Sequence, residues 1–156
     1  VGCDIAYQLA KSYALKGNVI VSGLALGCDS SAHQGCIDAN GKTIAVVASG
    51  LNIVHPKANE SLQKEIINKG GLIISEQPFG VKANPVRLYA RNRLQAALVQ
   101  KVIVVQCAVK SGTMNTVYFA HKYGCKIYAV AYGQYDKHNA GNEYILNKGI
   151  GFPIKL

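Results

Sequence analysis

Apolar residues in this chain fall into short β-branched runs separated by longer stretches with helical spacing. The runs are Val19-Ile20-Val21, Ile44 to Ala48, Leu72-Ile73-Ile74, Val102 to Val105 and Ile127 to Val130. Each is continuous and lacks the in/out alternation of a half-exposed strand, as expected of a parallel strand covered on both faces. The intervening segments, Asp4 to Leu15, Ser30 to Ala39, Glu60 to Asn68, Leu88 to Val99 and Thr113 to Tyr123, predict the covering helices. In the first, Ile5, Leu9, Ala10 and Tyr13 form one stripe, and Gly17 supplies a left-handed stop. Gly70-Gly71 and Gly124 close the third and fifth in the same way. Helix alternating with strand predicts an α/β fold with right-handed crossovers and a doubly wound, mostly parallel sheet. The pattern begins on a helix and not on a strand, so something upstream of it is expected. Past Val130 it weakens: Tyr132 to His138 is polar, and Asn142 to Asn147 makes only a short helix.

A length of 156 residues fits one domain, 1–156. Hydrophobic residues are 49% and charged residues 16%, which excludes disorder, and no apolar run is long enough to cross a bilayer. Val1 to Lys16 does not read as a secretory signal, so a cytoplasmic location is the expectation. The formal charge of +9 favours polyanionic partners, with plain solubility as the other reading. Cys3, Cys28, Cys36, Cys107 and Cys125 form no C-x-x-C pair and are odd in number, which predicts free thiols. His33, His55, His121 and His138 are dispersed, so neither a metal site nor a cofactor is expected.

In an open parallel sheet, ligands bind beyond the carboxyl ends of the strands. The first loop there, Ser22-Gly23-Leu24-Ala25-Leu26-Gly27-Cys28-Asp29-Ser30, leads into a helix capped by Asp29 or Ser30. It reads as a phosphate loop or as a tight turn, and it has neither the dinucleotide nor the Walker spacing. The second, from Ala48 through Gly50 to Lys57, ends in a cation, and the third, Glu76 to Val86, is long enough to suggest function. Arg87, Arg91 and Arg93 then form the densest positive cluster, at what reads as a helix start. Cations there oppose the macrodipole unless an anion is near. Tyr89 between them is either a stacking surface for a base or a core residue. The fourth loop, Lys110-Ser111-Gly112-Thr113, combines lysine, hydroxyl and glycine at a helix start; taken alone it is either an oxyanion loop or only a turn.

In order, these segments resemble the DprA/Smf family. The likeness rests on Val21 to Asp29 with Ala32-His33, on Gly41 to Val46, on Gly70 to Glu76, on Arg91-Asn92-Arg93-Leu94 and on Lys110 to Thr113. It implies a Rossmann-like three-layer sandwich lacking the family's first strand, and a cytoplasmic, non-enzymatic homodimer that binds single-stranded DNA. That DNA is protected during uptake and recombination and delivered to the RecA recombinase. The implied contacts are Ser22, Gly23, Gly50, Lys57, Arg87, Tyr89, Arg91, Asn92, Arg93, Lys110, Ser111, Gly112 and Thr113. The chain departs from the family pattern at Leu26, where arginine is common, and at Gln106-Cys107, where Glu-Ala is.

Two rivals use the same loops. A LOG-type nucleotide phosphoribohydrolase needs a glutamate where this chain has Thr116. A nucleotide-sensing domain would bind a small phosphorylated ligand without turning it over. Cys28 and His33 sit five apart with no third group to orient the imidazole, so acyl transfer is not expected.

Overall fold

A computed structural model describes residues 1–134 and 136–155. They fall into two compact units, Val1–Arg91 and Asn92–Leu156. Each contains a βαβαβ run, the half-unit from which doubly wound sheets are built.

The first unit comprises α1 (Gly2–Leu15), β1 (Ile20–Ser22), α2 (Cys28–Asp38), β2 (Thr43–Val46), a 3₁₀ turn at Lys57–Asn59, α3 (Glu60–Asn68) and β3 (Leu72–Ile74). It ends within α4 (Pro85–Ala97). The strands run parallel in the order β1-β2-β3, with Ser22 opposite Ala45 and Val46 opposite Ile74. Leu24, Ile37, Ala45, Val47, Leu62 and Ile66 form the core. Leu24 and Ile66 are 0% exposed, and burial of each contributes about 2 kcal/mol. The buried face of α1 differs from the expected stripe: Ala6, Ala10 and Ala14 are buried while Ile5, Leu9 and Tyr13 are half-buried. Close approach to α2 explains the small residues, since a Cβ on Gly35 would overlap the Tyr7 carbonyl.

In the second unit, β4 (Lys101–Val104), α5 (Gly112–Lys122), β5 (Lys126–Ala131), α6 (Ala140–Asn147) and β6 (Phe152–Lys155) follow the remainder of α4. The order β4-β5-β6 is again parallel, with Val104 opposite Ala129 and Ala131 opposite Lys155. Ala96, Val104, Val117, Ala120, Ile127, Ala129 and Ile145 pack its core. Strand β6 was not expected; Pro153 within it lacks an N–H, which a strand paired on one side tolerates. The expected irregular stretch 132–138 includes Tyr135, which lies outside the described residues. The α/β layout with parallel strands agrees with the expectation. Among the described residues no helix is long and apolar enough to cross a membrane, and no cluster of His, Cys, Asp or Glu could hold a metal ion.

Candidate nucleic-acid interface

The loop after β1 already holds an anion, and it is the chain's own. Asp29 does not cap α2, whose N-cap is Gly27; it sits in the first turn and reaches back into the loop. One carboxylate oxygen accepts from the Ser22 hydroxyl at 2.8 Å, and the other accepts from the Gly23 and Ala25 amides, both at 3.2 Å. Between those amides Leu24 adopts a left-handed φ of 59°, strained for a leucine. Asn59 Nδ2 holds its carbonyl at 2.8 Å. The phosphate-loop reading of Ser22 and Gly23 is thus corrected: the groups it would use are bonded to Asp29.

Arg91 secures the same loop from below. Its side chain is 7% exposed, and Nη1 donates to the Gly23 carbonyl at 2.8 Å and to the Val46 carbonyl. Burial lowers its pKa while Asp29 raises it. It therefore ties the ends of β1 and β2 together, so Arg91 is a positioning residue and not the surface phosphate contact expected. His33 lies in this cluster, fully buried, with Nδ1 at 2.7 Å from Thr43 Oγ1. Thr43 donates its hydroxyl to the Ile20 carbonyl at 2.8 Å, so Nδ1 carries the proton donated to Thr43, and Nε2 has no partner among the described residues. Burial pushes His33 down to about 4, against the pull of Asp29 and with the push of Arg91. Cys28 is pushed up to about 11 by burial first. A protonated thiol and an imidazole turned toward Thr43 form no nucleophile and base couple.

Gly50 is likewise internal. Its N–H donates to the Val81 carbonyl at 2.8 Å, and a Cβ there would overlap the Pro78 carbonyl. Only glycine allows the loops after β2 and β3 to meet so closely. Lys57 is exposed and pairs with Glu60 Oε2 at 2.6 Å.

Helix α4 begins at Pro85, three residues before the expected Leu88, behind an Asn84 whose side chain accepts from the Arg87 amide at 2.8 Å. Asparagine at the cap and proline at the first position are the expected pair for a helix start. Only Arg87 is in the first turn, so the macrodipole argument applies to it and not to Arg91 or Arg93. Arg87 Nη1 donates to the Lys82 carbonyl at 2.8 Å. Tyr89 is 60% exposed, which excludes a core tyrosine.

In the second unit, Asn92 is 8% exposed and donates from Nδ2 to the Gly112 carbonyl at 3.0 Å. It fixes the Lys110-Ser111-Gly112-Thr113 loop and is a positioning residue, while its neighbour Arg93 is half-buried. Ser111 is the extended N-cap of α5 but makes no side-chain cap, and the first turn of α5 has no acidic residue. Lys110, Gly112 and Thr113 are exposed, and Lys110 makes no ion pair among the described residues. Uncapped first-turn amides and an unpaired lysine together favour an anion.

The loop is anchored by residues that motif reading passed over. Asn142 is fully buried; its Oδ1 accepts from the Cys107 amide at 2.9 Å, and its Nδ2 donates to the carbonyls of Val104, Val105 and Val130 at 3.1, 2.8 and 3.2 Å. The Tyr132 hydroxyl donates to the Val105 carbonyl at 3.0 Å. Nothing about a lone Asn-Glu-Tyr in a weak helical pattern marks such a role.

The family model described as DNA recombination-mediator protein A matches residues 1–154 of this chain. The chain belongs to this family. DNA processing protein DprA of Bacillus subtilis is 35% identical over 148 residues, which are 95% of this chain and 50% of that protein. DNA processing protein A of Streptococcus pneumoniae superposes with a TM-score of 0.88 at 32% identity, over 98% of this chain and 53% of that one. The Helicobacter pylori protein, whose structure is described as giving insight into its unique single-stranded DNA binding mode, superposes with a TM-score of 0.89 at 32% identity, over 98% of this chain and 68% of that one. The chain thus spans half the length of the Bacillus relative. Within the DNA recombination-mediator protein A family, this member has its open cationic loop after β4 and a closed one after β1.

Proposed function

We propose that this chain binds single-stranded DNA through phosphate contacts and does so without sequence preference. The observation that carries the reading is the loop before α5: a Lys110 with no ion pair among the described residues, uncapped amides and no acidic residue in the first turn, held in place by Asn92. Arg93 adds charge in the same unit, and in the other unit Lys57, Arg87 and the exposed Tyr89 supply cations and a ring. The single-stranded DNA binding of the Helicobacter relative supports the same choice of ligand. Protection of that strand, its delivery to RecA during uptake and recombination, homodimerisation, a cytoplasmic place of work and the absence of a chemical step belong to this proposal.

Anisotropy of a labelled oligothymidine tests it. Affinity falls steeply as salt rises, because each phosphate contact releases counterions. Nucleoside monophosphate stays intact beside it. Salt-insensitive binding, or turnover of the nucleotide, overturns the reading.

A further inference from the structure

The turn after β3 places an aromatic side chain in solvent on a braced backbone. Phe79 is 74% exposed. Around it, the Val81 amide donates to the Pro78 carbonyl at 3.3 Å, the Gly80 amide to Asn52 Oδ1 at 2.8 Å and the Gly50 amide to the Val81 carbonyl at 2.8 Å. At the base of the turn, the Ser75 hydroxyl donates to the Ser49 carbonyl at 2.7 Å and receives the Gln77 amide at 2.9 Å. Gly50 lies directly against the backbone of Pro78 and Phe79. A solitary exposed phenylalanine is ordinary in itself. A loop braced on this scale is different, because its bonds fix the backbone from which the ring projects. Positive charge follows at once: Lys82 is exposed, and Arg87 grips its carbonyl at 2.8 Å. An exposed ring on a braced turn, with cations following it in sequence, supplies the two ingredients of a sequence-tolerant single-strand site, a stacking face and charge for the phosphates.

We propose that Phe79 is a base-stacking platform, on which one base of a single strand rests while Lys82 and Arg87 face the adjoining phosphates. This rests on the single-stranded DNA reading above and adds to it a residue outside the resemblance motifs. A nucleic-acid base fits better than an apolar protein surface because the segment that follows the ring carries the exposed Lys82 and then Arg87.

The chain has no tryptophan, so Phe79→Trp places a lone reporter at the position. On titration with oligothymidine, its emission is quenched saturably over the concentration range in which anisotropy reports binding. Phe79→Ala weakens binding roughly tenfold, and Phe79→Tyr restores it. The salt slope of Phe79→Ala stays at the parent value, because no phosphate contact is lost. Unchanged tryptophan emission while anisotropy reports binding, or parent affinity in Phe79→Ala, overturns the platform and leaves the single-stranded DNA reading standing. Failure of the parent chain to bind oligothymidine at all overturns both.

Discussion

After β1 the chain turns through a strained Leu24 and then places Asp29 against the Ser22 hydroxyl and the Gly23 and Ala25 amides. After β4, at the equivalent point of the second βαβαβ run, it turns through Lys110 to Thr113 and meets an uncapped helix with no acid in its first turn. Both loops are braced from beneath by a buried polar side chain, Arg91 in one and Asn142 in the other. Glycine, hydroxyl and a helix start are common to the two, so these features alone do not distinguish a filled anion site from an open one. The deciding feature lies in the first helical turn: an aspartate in α2, no acidic residue in α5.

The largest effect expected comes from removing a brace. Asn142→Ala leaves the Val104, Val105 and Val130 carbonyls and the Cys107 amide without their partner, and should lower stability by roughly 3–4 kcal/mol in urea unfolding. A loss under 1 kcal/mol would show that the loop after β4 does not depend on it.

Acid should act on the first unit through His33. Its folded pKa is depressed from 6.5 to about 4, so below 6.5 the unfolded chain binds a proton that the fold refuses. The contribution is fully present above pH 6.5 and is lost as pH falls toward about 4, amounting to roughly 3 kcal/mol at the lower end. Unfolding midpoints across that window should decline less in His33→Gln than in the parent. Equal declines would contradict the buried neutral imidazole.

A smaller effect tests the filled loop directly. Asp29→Ala should cost about 2 kcal/mol and should make the variant more stabilised by phosphate buffer than the parent is, since the vacated amides can then take an external anion. Stability that phosphate does not restore would mean the loop collapses once its own carboxylate is gone.

Much of this was legible in the residues and some was not. The β-branched runs and their helical spacers predicted β1 to β5 and α1 to α5, because continuous apolar strands and glycine stops leave few other readings. Strand β6 escaped because Phe152-Pro153-Ile154-Lys155 is short and proline-bearing. In the arginine cluster, charge density drew attention to Arg91 and Arg93 equally. Residues two apart on a helix lie about 200° around its axis, so they could not share a face. The sequence also held Asn84-Pro85, a cap and first-turn pair that moves the helix start and leaves only Arg87 near the positive end of the dipole. Asn142 and the partnership of His33 with Thr43 depend on contacts between residues far apart in the chain, and no local pattern announces them.

The most direct test of the contrast between the two loops is the salt dependence of oligothymidine affinity in paired variants. Lys110→Ala should reduce the slope by about one counterion-releasing contact, while Ser22→Ala, whose hydroxyl is bonded to Asp29, should leave the affinity unchanged. Weakened binding in Ser22→Ala together with a parent slope in Lys110→Ala would place the phosphates on the wrong loop and contradict the account.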